Sequence, residues 1–424
     1  MKVLLISVNT EEINILPLPL GLHCVAVAAR NAGHEVKLID LMTEKNDAVS
    51  IVGTIESFSP EIIGISVRNI DDQNMENPKF LLDQAKKVVA ACRTISGAPL
   101  ILGGAGYSIF PESVLQYLEA DMGIQGEGEK AFPLLLDRIQ RGGDLSGTPG
   151  LYVRGLGLQG KRVYVNNLDT LPLPDTHLSS LAAPDTQERW MPVQTRRGCP
   201  MNCNYCSTPT IEGSYLRKRR PESVIEEISR HFHAGFSSFY FVDNTFNIPL
   251  SYSKKLCRAL IARGMKISWR CIFYPGIFDK EFIDLLARSG CSEVSLGFES
   301  GCDHILRTMN KKYRPDAVRK TSAILKDFGI KRLGFLLLGG PGETKASVEE
   351  SLAFADSLDL DALKITVGIR IYPYTALAKT AINDGVIRPD DNLLFPKFYI
   401  VKNLKEWLNE TVKVRMSERP HWMT

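Results

Sequence analysis

Residues 196–207 read Arg-Arg-Gly-Cys-Pro-Met-Asn-Cys-Asn-Tyr-Cys-Ser, which sets Cys199, Cys203 and Cys206 in a Cys-x3-Cys-x2-Cys spacing with Tyr205 directly before the third thiol. Three thiols this close together are suited to hold a metal. A closed structural zinc or cluster site takes four protein ligands, so a set of three leaves one metal corner free for a substrate or cofactor. The plainer readings are a zinc site with a distant fourth ligand, or three unrelated buried thiols. A zinc ribbon would bring a second Cys-x2-Cys pair, whereas Cys24, Cys92, Cys257, Cys271, Cys291 and Cys302 stand singly and read as small buried hydrophobes.

A short strand, expected over Pro192–Thr195, leads into the motif. In this setting the Cys-x3-Cys-x2-aromatic-Cys pattern resembles the signature of the radical S-adenosylmethionine (SAM) superfamily. The resemblance implies a [4Fe-4S] cluster on Cys199, Cys203 and Cys206, with SAM chelating the fourth iron. It also implies that one electron from the cluster cleaves SAM to methionine and a 5'-deoxyadenosyl radical. Flavodoxin or ferredoxin is the expected type of electron donor.

Composition is compatible with an enzyme of this kind. A chain of 424 residues exceeds one ordinary core and suggests two domains plus a tail. Hydrophobic residues make up 44% and charged residues 23%, as in ordinary globular proteins, and a net charge of +3 gives no electrostatic case for nucleic acid or a membrane surface. No apolar run reaches the roughly 18 residues of a membrane span, and the opening Met-Lys-Val-Leu-Leu-Ile-Ser-Val-Asn turns polar too soon for a signal peptide. The nine cysteines, an odd number without a disulfide spacing, fit a reducing compartment. A cytoplasmic monomer is expected.

From 1 to about 140 short apolar runs alternate with helical patterns. Strands are expected at Val3–Val8, Glu35–Asp40, Ile62–Val67, Leu100–Gly103 and Met122–Gln125, and helices at Gly21–Ala32, Ala48–Ser57 and Lys79–Thr94. Continuous apolar runs of this type belong to a parallel sheet buried on both faces, hence a five-stranded doubly wound α/β domain with its ligand at the carboxyl ends of the strands. The loops there carry Leu20 and Gly21, then Ser66, Val67, Arg68 and Asn69, then Gly103 and Gly104, then Gly126, Glu127 and Gly128. Glycines let backbone approach a large ligand, although any one of these loops alone reads as turn chemistry.

Taken in this order and ahead of a radical SAM motif, the loops resemble the cobalamin-binding domain of the B12-dependent radical SAM enzymes. The resemblance implies that those eleven residues line a corrin. No Asp-x-His-x-x-Gly motif follows the first strand, so cobalamin is expected without a histidine lower ligand; His23 and His34 read as surface or capping histidines.

Residues 141–188 are rich in Gly, Pro, Asp and Thr and read as a linker holding a small hairpin, with arms at Gly150–Val153 and Lys161–Val165. Over 189–378 the alternation resumes with strands expected at Pro192–Thr195, Ser238–Val242, Lys266–Ile272, Glu293–Phe298, Arg332–Leu338 and Ala362–Ile369, and crossover helices such as Glu222–His233 and Asp279–Ser289. Six βα units make a partial TIM barrel, and its active residues sit at strand carboxyl ends.

In the superfamily those ends hold SAM. The resemblance implies SAM contacts from Tyr205, from Asp243, Asn244 and Thr245 (standing where many members have Gly-Gly-Glu), from Glu299, from Gly339 and Gly340, and from the backbone at Ile371. Glu299 has a competing reading as an ion-pair partner of Arg270, and Glu343 one as a helix cap. Tyr372 and Tyr374 read as packing for the barrel mouth, the run Arg217–Arg220 as a solvated loop, and His231 and His233, two apart on a helix, as no metal pair. The tail, 379–424, with a helix expected at Asn403–Val412, would close the barrel and touch substrate.

The combined expectation is a cobalamin-dependent radical SAM C-methyltransferase. Its cofactors are the [4Fe-4S] cluster, SAM and methylcobalamin, and its substrate is a small molecule, lipid or peptide side chain. Two other readings remain. One keeps both cofactors but catalyses a rearrangement or cyclisation. The other is a non-catalytic corrinoid or metal carrier or sensor.

Overall fold

The computed structural model describes residues 1–11, 18–42, 48–175 and 190–424, and the chain divides into two compact units. The first comprises 1–72, 78–185 and 210–213, and the second 73–77, 186–209 and 214–424. Residues 176–188 of the expected linker lie outside the described residues. Among the described residues no helix is long and apolar enough to cross a membrane.

The first unit is built on β1 (Lys2–Ser7), β2 (Glu35–Asp40), β3 (Ile62–Ser66), β4 (Leu100–Gly103) and β5 (Met122–Ile124), all parallel in the order 2-1-3-4-5. Val3, Leu4, Leu5 and Ile6 are all at most 1% exposed, which is why the run shows no alternation: both sheet faces are covered. The covering helices are α1 (Leu20–Asn31), α2 (Ala48–Phe58), α3 (Leu82–Ile95), α4 (Ala105–Ile109), α5 (Pro111–Leu118) and α6 (Gly128–Gln140). Leu22, Ala26 and Ala29 of α1 share a core with Val3, Leu5, Phe132 and Leu135.

The expected hairpin differs from the observed one. β6 (Leu151–Val153) turns into β7 (Gly157–Leu158), and β6 pairs antiparallel with β5, so the hairpin extends this sheet to seven strands. Lys161–Val165 forms no strand. The cause is the tight turn at Gly155 and Gly157, both at positive φ, which closes the hairpin before that segment is reached. His23 and His34 are also buried, neither being a surface residue, and His23 caps nothing. Burial, with Arg30 nearby, pulls His23 down to about 4.

The second unit opens with β8 (Met191–Val193), β9 (Arg196–Arg197), α7 (Thr208–Glu212, whose end groups with the first unit) and β10 (Arg217–Lys218). Five βα repeats follow. They are α8 (Pro221–His233), β11 (Ser238–Phe241), α9 (Leu250–Arg263), β12 (Ser268–Phe273), α10 (Lys280–Arg288), β13 (Cys291–Glu299), α11 (Asp303–Thr308), α12 (Pro315–Asp327), β14 (Lys331–Leu338), α13 (Lys345–Ser357) and β15 (Ala362–Val367). Next come β16 (Ile369–Arg370), α14 (Ala376–Asn383), β17 (Phe398–Tyr399), α15 (Lys405–Ser417) and β18 (Trp422–Met423). β8, β11, β12, β13, β14 and β15 lie side by side in parallel, the six-unit sheet of a partial barrel. Phe241, Phe246 and Trp269 meet with ring centres 5.0 Å apart and fill the β11–β12 side.

The tail departs from expectation. β18 adds a seventh parallel strand beside β15 through Leu363 and Trp422, while Leu408 and Val412 of α15 pack with Leu336, Leu363 and Ile365. Apolar side chains spaced along α15 and the buried Trp422 thus seal the outer edge of the sheet. The basic run is not a solvated loop either: Arg217 and Arg219 are buried, the first on the β9–β10 ribbon and the second paired with Glu227.

His231 on α8 is fully buried, and neither ring nitrogen has a hydrogen-bond partner. Burial lowers it from 6.5 to about 4. The unfolded chain therefore binds the proton that the folded one refuses, and stability falls as pH drops from about 6.5 toward 4. One such group is worth on the order of 3 kcal/mol. Urea unfolding of His231→Phe at several pH values should show a shallower acid loss than wild type; an unchanged slope would refute the assignment.

Candidate active site

The cysteine loop begins where β8 ends, at the carboxyl edge of the barrel sheet. Its entry is held from below by Asp243, which follows β11. One carboxylate oxygen accepts from the main-chain N–H of Thr195 (2.8 Å) and of Arg196 (3.1 Å), and the other accepts from the Thr195 hydroxyl (2.5 Å) and faces Arg196 Nε at 3.2 Å. Asp243 is completely buried and Arg196 1% exposed. Both of its oxygens accept hydrogen bonds inside the protein. Asp243 positions the loop.

The loop itself is clamped by residues 308–310 and by the start of α14. Asn204 N–H donates to Met309 O (3.2 Å) and its side-chain amide to Thr308 O (2.8 Å), while Asn310 donates to Asn202 O (2.6 Å). The start of α14 contributes Leu377 N–H to Asn204 O at 2.8 Å. Asn202 and Asn310 take left-handed backbone, which asparagine tolerates better than most residues. The result is a fixed scaffold for Cys199, Cys203 and Cys206, all partly exposed and unpaired with one another.

Burial pushes the Cys199 thiol up to about 11 and raises Cys203 as well, with Lys311 opposing in both cases. Cys206 accepts from the Thr208 main-chain N–H at 3.4 Å, and Thr208 in turn bonds Asn244 at 3.3 Å. The three thiols sense one another electrostatically. Among the described residues, however, no three His, Cys, Asp or Glu side chains converge as ligands of a single ion do. A cubane spreads its thiolates over separate irons. The donor set of three soft thiols, with amide N–H support for one sulfur, fits such a cluster.

Glu299 follows a register shift at Gly297–Glu299 of β13 and has φ +61. Such backbone costs about 1–3 kcal/mol in a residue other than glycine, and bulges re-aim side chains beside active sites. Here it turns Glu299 toward the cysteine loop: its Oε1 accepts from Tyr205 OH at 3.0 Å and from Lys311 Nζ at 3.1 Å. Arg270 pairs instead with Glu293 at 3.7 Å and lies over Trp190, so the competing Glu299–Arg270 pair does not form. Lys311 escaped the sequence reading. It lies in a polar stretch, Asn-Lys-Lys, where a buried lysine carries no local signal.

Of the other expected SAM contacts, Thr245 is buried with a hydroxyl that meets no partner, and Asn244 sits beside Thr208. Gly339, at φ +96, receives the Glu343 carboxylate on its N–H. Glu343 therefore folds back on the glycine loop and does not cap α13, a role Thr344 takes. One oxygen of Glu343 is buried without a partner, and burial lifts the group to about 7. Ile371 is fully buried. Its N–H donates to Lys397 O (2.9 Å) and its carbonyl accepts from Arg370 (2.7 Å). Tyr374 is 86% exposed at φ +62 and packs nothing, contrary to expectation.

In the first unit, the order 2-1-3-4-5 puts a topological switch between β1 and β3, the place where ligands of such sheets bind. Leu20 and Gly21 start α1 after β1, Ser66 ends β3, and Val67, Arg68 and Asn69 follow it. The neighbouring loops are tied in: Val67 N–H donates to Gly103 O (2.8 Å), Gly106 N–H to Val67 O (3.0 Å), and Gly126 N–H to Ser108 Oγ (3.0 Å). A Cβ on Gly104, at φ +101, would come within 2.5 Å of Val67 O, so only glycine permits this closeness. Glu127 accepts from Val165 N–H at 2.6 Å, and Gly128 lets α6 meet Val25 of α1. Val67 is buried with both main-chain groups used, whereas Arg68 is exposed and Gly103, Gly104 and Gly126 are half-exposed. The residues present fit a large flat ligand laid on glycine backbone.

The sequence model of the B12 binding domain matches residues 6–136, and that of the radical SAM superfamily matches 193–355. The chain belongs to the B12-dependent radical SAM family. A methyltransferase of Pyrococcus horikoshii with no assigned substrate is 28% identical over 97% of this chain and 90% of its own. The tryptophan 2-C-methyltransferase of Streptomyces laurentii is 24% identical over 89% of this chain and 75% of its own. Among solved structures, that of the radical SAM methyltransferase TsrM of Kitasatospora setae superposes with a TM-score of 0.86 at 20% identity, over 100% of this chain and 90% of that one. This B12-dependent radical SAM protein is an enzyme of the methyltransferase class, and its cofactors are a [4Fe-4S] cluster, SAM and cobalamin. The carrier or sensor reading falls with that.

Proposed function

We propose that the chain is a C-methyltransferase acting on a small molecule. The observation that carries this reading is the pairing, in one chain, of a glycine-lined strand edge fit for a corrin with a barrel edge that presents Cys199, Cys203 and Cys206. When bound, the cofactors supply a carbon-centred radical and a methyl donor, chemistry that side chains cannot provide.

The protein's own part is to bind and orient. Cys199, Cys203 and Cys206 would hold the cluster, on a loop fixed by Asp243, Asn204 and Asn310. Asn244, Glu299, Gly339 and Gly340 would border SAM, and the loops from Leu20 to Gly128 the corrin. Such positioning converts collisions into intramolecular steps and keeps reactive species from water. A relative named for methylation at a tryptophan carbon supports carbon as the acceptor.

The test is product analysis under anaerobic conditions, with reconstituted enzyme, hydroxocobalamin, a low-potential reductant and methyl-deuterated SAM. S-adenosylhomocysteine released together with 5'-deoxyadenosine is the expected result. 5'-Deoxyadenosine accumulating without S-adenosylhomocysteine would overturn methyl transfer and favour a rearrangement or cyclisation.

A further inference from the structure

One charged group beside the cysteine loop is not among the residues assigned to a cofactor. Lys311 follows α11, and its side chain is only 6% exposed. Its Nζ stands 3.1 Å from Glu299 Oε1, 5.3 Å from the centre of the Tyr205 ring and 6.0 Å from that of Tyr313. Tyr205 lies between Cys203 and Cys206 in the chain, so this charge stands beside the cysteine loop. The ion pair with Glu299 places a buried positive and a buried negative group side by side next to Tyr205 of the loop. The same Glu299 oxygen also accepts from Tyr205 OH at 3.0 Å, which ties the pair to the cysteine loop.

A buried pair of opposite charges at unequal distances from a redox centre biases that centre. Taking up one electron makes a cluster one unit more negative. A nearby cation stabilises the reduced form more than the oxidised form, an anion does the reverse, and a water-poor setting enlarges both effects.

We propose that Lys311 and Glu299 set the reduction potential of the cluster, Lys311 raising it and Glu299 lowering it. The cluster gains one electron from an external one-electron donor, which loses one, and no proton moves. The proposal rests on the assignment of Cys199, Cys203 and Cys206 as the cluster ligands. It assigns the pair a task distinct from holding the loop, which the asparagines already do.

The experiment is a redox titration of the full-length chain, reconstituted anaerobically without SAM and followed by electron paramagnetic resonance with dithionite as reductant. In Lys311→Met the ratio of reduced to oxidised cluster at a given potential should fall about tenfold, a midpoint roughly 59 mV lower for one electron. Glu299→Gln should move the midpoint upward, and Lys311→Arg should leave it near wild type. Iron and sulfide contents report loading in each variant. Midpoints that stay put, or that move the same way in Lys311→Met and Glu299→Gln, overturn the proposal, since a merely structural pair has no reason to give opposite signs. Should Lys311→Met fail to fold, the upward shift in Glu299→Gln still decides. A wild-type chain that takes up no iron overturns the ligand assignment itself, and the proposal with it.

Discussion

Cys203→Ala is expected to fold like wild type, to take up little iron and sulfide, and to lose reductive SAM cleavage. Cys203 is the middle thiol of the loop, half-buried, and the loop's fold depends on main-chain and asparagine contacts in which the sulfur has no share. Removing only an outer-shell partner typically costs about 10–100-fold in metal affinity or activity, so loss of one of three ligands should exceed that. Circular dichroism, iron analysis and 5'-deoxyadenosine release check the three parts separately. Cleavage within tenfold of wild type would show that the cluster lies elsewhere.

Asp243→Ala is expected to destabilise the protein by about 3–5 kcal/mol, the range for breaking a buried pair and stranding the other charge. Arg196 would keep its guanidinium 1% exposed with no carboxylate, and two main-chain N–H groups plus the Thr195 hydroxyl would lose their acceptor. Denaturant unfolding measures the loss. If Asp243 instead served SAM, the variant would be near wild type in stability and weak only in SAM affinity, which titration of the folded protein would reveal.

Much of this was legible along the chain. Both sheets were: a parallel strand covered on both faces is a continuous apolar run, as at Val3–Ile6, and Leu333–Leu338 is an equally apolar run although Leu333, Phe335 and Leu337 are only partly buried. The cysteine loop was legible because its ligands are consecutive in sequence. The hairpin was not: β7 is two residues long, and the pairing of β6 with β5 depends on an open sheet edge. Nor was β18, since a two-residue strand far down the chain has no periodicity of its own.

Charged residues were the least readable. Glu299 and Asp243 both end barrel strands and both are acidic, so their positions alone suggested the same task. One is sealed against Arg196 below the loop, and the other is swung by a backbone bulge onto Tyr205 and Lys311. The sequence by itself determined two α/β units, the three thiols and hence the family. Which buried charge meets which was decided only by the tertiary structure. Local pattern encodes burial and period, but an ion pair joins residues 12 to 47 positions apart whose distance is set by how the strands are registered.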